Sequence, residues 1–323
     1  MAWRLRLVPE KTDINFFRWQ EYTFGGSVLL SVVAVIAWFA IGLNFGIDFN
    51  GGTTLRTEST TAVDIGAYRS ALAGEALGDV VISEVFDPSF RADQHVAMVR
   101  MSAQEGVESI TPETVESVTQ ALQAYDPALR VISVESVGPK VSGEMIQAAI
   151  LAMVGATFCI LGYIWLRFEW QYAVGAVAAL VHDVMITIGL FAVLQIKFDL
   201  AVIAALLTIL GYSINDTVVV FDRLRENLIK FKSMPLRDVM NLTANETLSR
   251  TLMTSGTTLM ALIAMLIFGG DVIRGFVFAI TVGVILGTYS SIYVAKNIVL
   301  MIGLDRSGTS KSDKVDPYAN IKA

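Results

Sequence analysis

The residue best placed to do chemistry is Asp216, in the stretch GYSINDTVVVFD at 211–222, with no other charge before Asp222. On a helix that puts its carboxylate about 9 Å from the nearest charged neighbour along the axis. An ionisable group in apolar sequence costs several kcal/mol in hydrocarbon, so it needs a partner, a cavity or a purpose. A carboxylate in that setting, unless a cation lies close, could exchange protons during a working cycle. Tyr212, Ser213, Asn215 and Thr217 supply hydrogen-bonding groups around it, and Gly211 thins the helix nearby. The best cationic counterpart is Arg250, in NETLSRTLMTSGTTL at 245–259. The competing reading for Arg250 is a side chain that reaches up to the lipid headgroups. Behind it Thr251, Thr254, Ser255, Thr257 and Thr258 put hydroxyls on more than one helix face. Some of these suit bonding to their own backbone, others a hydrated path.

A second ionisable pair is His182 and Asp183. Gly175, Ala179, Asp183 and Thr187 recur at intervals of four and so share one helix face. Their small members let another helix approach closely, and Asp183 is expected to support packing or a polar network rather than to carry a proton itself. His182 lies about 100° around the helix and need not face the same partner, although an imidazole would suit a proton relay. Ala279, Gly283, Gly287, Ser291 and Ala295 form another stripe at every fourth position, a packing seam rather than a catalytic element. Asp222, Arg223, Arg225 and Glu226 read as an interfacial charge cluster leading into a short amphipathic segment through Pro235. Motifs of the HExxH or GxSxG type are missing from the sequence, so neither an enzyme nor a bound cofactor or metal is expected.

Membrane helices must position these groups. Hydrophobic residues make up 54% of the 323-residue chain and charged residues 17%, against about 25% charge in a typical soluble domain. Uncharged runs at 22–47, 145–166, 251–270 and 275–295 are each long enough to cross a bilayer as a helix. Two further spans carry His182, Asp183 and Asp216. The expected helices run 24–43, 144–166, 171–194, 200–221, 249–269 and 275–296. Placing the N-terminus in the cytoplasm puts most of the 24 Lys and Arg residues inside, including Arg167 and the 223–237 group in short loops. Both termini, 1–23 and 300–323, are then cytoplasmic and the large loop periplasmic. The first span reads as a signal-anchor rather than a cleaved leader, being longer than the usual apolar region. The single Cys159 permits no internal disulfide, and a pI near 5.1 gives no reason to expect nucleic acid.

Residues 44–140 form a separate acidic domain. Alternating and β-branched runs mark strands at 53–58, 80–86, 95–101 and 130–137, and helices are expected at 64–76 and 112–125. The order βαββαβ is that of a ferredoxin-like α+β unit. His95 stands alone in a strand and reads as structural. The fold class is thus an α-helical membrane protein: a six-transmembrane-helix bundle with this domain between helices 1 and 2, and helices 2–6 within 141–299.

Several stretches, GIDFNGGT (46–53), VGPKVSGE (137–144), ALVHDV (179–184), GYSINDTVVVFDRLREN (211–227), NETLSRTLMTSGTTL (245–259) and GTYSSIYVA (287–295), resemble the SecF branch of the SecD/SecF protein-export family. That family lies within the resistance–nodulation–division superfamily, and the match extends over roughly residues 10 to 300. The resemblance implies a bacterial inner-membrane subunit that pairs with SecD in a pseudo-symmetric bundle. It would work beside the SecYEG channel, with YajC a further partner, and use the proton motive force to promote preprotein translocation. It also implies that Asp216 and Arg250 couple proton movement, with a second membrane carboxylate supplied by SecD. From the residues alone, a proton-coupled small-solute exporter half-subunit and a structural scaffold of a membrane complex remain the alternatives.

Overall fold

A computed structural model describes residues 12–304 apart from 76, 78–79, 88–89, 92 and 103–110. Among the described residues, six helices are long and apolar enough to cross a membrane. They are α1 (Gln20–Ile41), α5 (Pro139–Arg167), α6 (Trp170–Leu194), α7 (Leu200–Lys230), α8 (Leu236–Phe268), and a last span in which α9 (Asp271–Ser290) runs through a π-helical turn (Ser291–Ala295) into α10 (Lys296–Ile302). Between α1 and α5 lie α2 (Ile47–Asn50), β1 (Gly52–Ser59), α3 (Ile65–Leu72), β2 (Val80–Val85), β3 (His95–Ser102), α4 (Pro112–Tyr125) and β4 (Arg130–Val137). The chain is a multi-pass membrane protein with one α+β domain.

The four strands form an antiparallel sheet in the order β2-β3-β1-β4. Leu55, Val99 and Met101 pack with Tyr68 and Leu72 of α3 and with Val118 and Leu122 of α4 on one face. Asp64 and Thr111 cap α3 and α4 through the amides of Ala67 and Thr114. The other face of the sheet looks toward the bundle. The chain enters β1 through Gly51 and Gly52, whose φ values of +69° and +126° favour residues without a Cβ. Just before them the turn after α1 docks on the α6–α7 loop: Phe198 N donates to Asn44 O at 2.8 Å and Gly46 N to Phe198 O at 2.8 Å. A Cβ on Gly46 would sit 3.0 Å from Lys197 Cε. The domain is therefore stitched to the bundle at the mouth of α6 and α7.

The expected α7 and α8 ended or began too close to the membrane. α7 continues unbroken past Phe221 to Lys230, and α8 starts at Leu236. The supposed amphipathic segment is the end of α7 itself, because no helix breaker stands between Asp222 and Lys230. Arg223 donates to Glu246 at 2.8 Å and to Glu226 at 2.6 Å, and Asn227 donates to Thr243 at 3.0 Å, zipping the two helices together. Arg167 holds Asp222 at 3.0 Å. α5 likewise starts at Pro139, a residue suited to a first helical position.

Residues before α1 hook over the end of the bundle opposite the sheet domain. Asn245 accepts from Ile14 N and donates to Ile14 O, and Asn241 accepts from Phe16 N. Phe17 lies between two cations: Lys296 Nζ is 4.3 Å from its ring centroid and Arg237 Cζ 5.2 Å. Lys296 is 1% exposed, and its ammonium has no hydrogen-bond acceptor among the described residues. A desolvated cation–π contact gives back about 2 kcal/mol, less than the several kcal/mol that burying an ammonium costs. Lys296→Met, similar in volume and uncharged, is therefore expected to raise the stability of the chain in detergent by about 1 kcal/mol. A thermal melt of the purified variant checks this, and a fall would mean that the charge itself holds the hook.

Candidate functional site

The seam between α7 and α9 brings the polar groups together. A Cβ on Gly283 would come within 2.3 Å of the Ile209 side chain, and one on Gly287 within 3.0 Å of Ser213. These two glycines, one turn apart, let α7 lie directly on α9. Gly175 does the same for α6, where a Cβ would meet Val299 at 2.7 Å and the Ala295 carbonyl at 2.8 Å, and Ala179 is fully buried on the same stripe.

Three helices meet at Asp183, which has no exposed surface. Its Oδ2 accepts from Ser213 Oγ of α7 at 2.7 Å and from Ser290 Oγ of α9 at 2.8 Å, while Oδ1 lies 2.9 Å from His182 Nδ1. His182 thus bonds its neighbour Asp183 itself, and neither Ser213 nor Ser290. Its Nε2 is buried and has no partner among the described residues, and its ring stacks on Tyr289 at 6.3 Å. The Tyr289 hydroxyl in turn donates to Thr23 O and accepts from Ser27, tying the dyad to α1.

Asp216 sits one turn beyond Ser213 and is 4% exposed. It accepts from Ser255 Oγ of α8 at 3.4 Å, and Ser255 bonds Thr288 Oγ1 of α9 at 2.6 Å. Thr217, buried beside it, returns its hydroxyl to Ser213 O at 3.2 Å. Gly287, Thr288 and Ser290 of α9 thus touch the surroundings of both carboxylates. Tyr212 donates to Thr258 at 3.3 Å.

Arg250 does not pair with Asp216. It is exposed, within electrostatic reach of the carboxylate but not in contact with it. The reason is helix phase: α8 turns Thr251 and Ser255 inward, and Arg250 falls on the adjoining outer face. Thr254 also lies outside, bonded to its own backbone at Arg250 O and Thr251 O. Asn215 is exposed on α7 in line with Gly211, whose Cβ position meets nothing within 4 Å. Asn215, Arg250 and Thr254 therefore belong to an open polar face, whereas Ser213, Thr217, His182 and Asp183 belong to the closed interior. Sequence reasoning passed over Ser290, Thr288 and Tyr289. They stand in GTYSS, a stretch that marks itself in the sequence only by its small-residue repeat and its family resemblance.

A family model described as protein export membrane protein SecD/SecF, C-terminal, matches residues 117–305, and one described as the SecD/SecF GG motif matches residues 36–63. The protein translocase subunit SecF of Cereibacter sphaeroides is 66% identical over 324 residues, covering all of both chains. That of Vibrio alginolyticus is 39% identical over 300 residues, 93% of each. Among solved structures, SecDF of Thermus thermophilus is similar with a TM-score of 0.80 at 35% identity, over 92% of this chain. This chain spans 39% of that structure's length. SecDF in a super-membrane-facing form gives a TM-score of 0.68 at 35% identity, over 97% of this chain and 41% of the other. The chain belongs to the SecF branch of the SecD/SecF family and has an accessory role in the Sec protein-translocation pathway.

Proposed function

We propose that this chain is half of a proton-driven export device: it pairs with SecD and uses the proton motive force to promote preprotein passage beside the SecYEG channel, with YajC a further partner. In this reading both termini face the cytoplasm and the α+β domain faces the periplasm. The observation that carries it is the layout of the membrane polar groups. Asp216 is buried against Ser255, while Asn215, Arg250 and Thr254 lie on an outer face that includes the unfilled Gly211 position. A polar face of this kind is costly in lipid and suits a second bundle bringing its own carboxylate. The match to SecDF structures more than twice as long as this chain supports the same pairing.

The proposed cycle protonates Asp216, weakens its bond to Ser255 and changes its attraction for Arg250, so that α7 and α8 settle differently against α9. Moving one proton through about 100 mV releases about 2.3 kcal/mol, on the scale of the gap between two packed states. The bridge from Gly46 to Phe198 would carry the change to the α+β domain. Asp216→Asn, inserted at normal level with its partner, is expected to lose the proton-dependent part of preprotein export in membrane vesicles. Unaltered proton-dependent export by that variant would sink the proposal and favour a scaffold.

A further inference from the structure

A polar cavity of about 410 Å³ separates the outer face of the sheet from the end of the bundle. Its charged and polar walls are Thr54 and Arg56 of β1, Glu135 of β4, Asp48 after α1, Lys197 and Asp199 of the α6–α7 loop, and Arg274 of α9. Alternation along β1 explains the composition. Leu55 points into the domain core, so Thr54 and Arg56 must point the other way.

Three donors on this face have no acceptor among the described residues. Thr54 is 3% exposed and its Oγ1 is unpaired. Arg56 Nε is buried and unpaired, and so is Nε of Arg100, which stands opposite Thr54 in the sheet and spends Nη1 on Phe45 O at 3.4 Å. Burial lowers the Arg100 pKa from its ordinary value, against the pull of Asp199 and Asp48. The carboxylates are only partly engaged: Asp48 Oδ2 accepts from Leu200 N at 3.0 Å and Asp199 Oδ1 from Val202 N at 3.1 Å. Lys197 Nζ reaches Asp199 at a loose 3.9 Å. Buried donors left unpaired are costly, and a ligand or ordered water must recover that cost.

The shape of the charge selects the ligand. An inorganic anion would satisfy the guanidinium and the hydroxyl but would face Glu135, Asp48 and Asp199 with nothing to offer them. A group carrying both a phosphate and a primary ammonium answers both sets, the phosphate on the planar fork of Arg56 and on Thr54 and Lys197, the ammonium on Glu135 and Asp48. α1 ends at Ile41, α6 at Leu194, and α7 begins at Leu200, so the cavity lies at the level of the membrane surface, where such groups are lipid headgroups. Ile47, Ile196 and Ala201 add apolar wall. We propose that the cavity between sheet and bundle binds the headgroup of a phosphoethanolamine lipid, which seats the α+β domain on the membrane end of α6 and α7.

The test is native mass spectrometry of the full-length chain in mild detergent, titrated with phosphatidylethanolamine, phosphatidylglycerol or phosphatidylcholine, with and without inorganic phosphate. The expected result is at least a tenfold preference for phosphatidylethanolamine, a tenfold or greater loss in Arg56→Gln, and loss of the preference over phosphatidylglycerol in Glu135→Gln. Thr54→Val should weaken binding several-fold, and melts of all three variants show that each is folded. Equal retention of the three lipids overturns the proposal, as does unchanged binding in folded Arg56→Gln. Complete displacement by millimolar phosphate would make the cavity an anion site and overturn it too, and so would the absence of any bound lipid, which would leave the cavity to water.

Discussion

Replacing Asp183 with alanine is expected to cost the bundle about 3–5 kcal/mol, the range for removing one member of a buried polar set. The loss arises at three places at once. Ser213 and Ser290 lose the oxygen at 2.7 and 2.8 Å to which they donate, and His182 Nδ1 loses its partner at 2.9 Å. Each stranded polar group costs about 1–3 kcal/mol. Ser290 recovers part of this through Gly287 O, already at 3.4 Å, so the total falls short of the simple sum. Asparagine is the informative contrast. Its oxygen can accept from both serines while its NH2 donates to an unprotonated His182 Nδ1, which preserves all three contacts without charge. Asp183→Asn should therefore cost no more than about 1 kcal/mol. Unfolding of purified variants by heat or by graded SDS separates the cases. If asparagine proves as damaging as alanine, the network depends on an ion pair with protonated His182 rather than on hydrogen-bond geometry.

That comparison also shows why Asp183 was harder to weigh from sequence than Asp216. The six spans, the sheet order implied by βαββαβ and the burial of Asp216 were legible because each depends on local pattern: uncharged length, alternation, or one charge in an apolar run. The partners of Asp183 come from residues 30 and 107 positions away, and nothing near 183 announces them. The same limit applies to Arg250. Its depth along α8 could be read from spacing, but its rotation about the helix was fixed by Thr251 and Ser255 packing inward. The length of α7 was misjudged for another reason: charges at 222–226 mark where a span leaves lipid, whereas a helix ends where its hydrogen bonds or propensities fail. The π-helical turn at Ser291–Ala295 had no sequence signal that we can identify. It falls in the segment that carries Tyr293, which stacks on Tyr289 at 4.9 Å and so continues the chain of rings from His182 toward the N-terminal hook.

The second large effect is expected at Gly189, a position outside both small-residue stripes. An added Cβ would lie 2.3 Å from Ala34 Cβ, 2.5 Å from Ala34 Cα and 2.9 Å from the Ala34 carbonyl. Two of those atoms are backbone, so no rotamer change relieves the clash and α1 as a whole must move. Overpacking of this kind costs about 1–3 kcal/mol for a single methyl, and more for a larger group. Gly189→Leu should therefore part α1 from α6, open the wall beside His182 and lower the melting temperature of the isolated chain sharply. Gly211→Leu makes the opposite test, since its Cβ position is empty. It should leave the chain as stable as the parent, or slightly more so from helix propensity, yet disrupt copurification with a second bundle if Gly211 and Asn215 face one. The two glycines look alike in sequence and differ only in what stands opposite them: for Gly189 it is this chain's own α1, and for Gly211 it is a surface that the described residues leave open. A Gly211→Leu variant that still copurified with its partner would move the docking face elsewhere on the bundle, with α5, whose Gly155 and Gly162 also meet nothing within 4 Å, the next to examine.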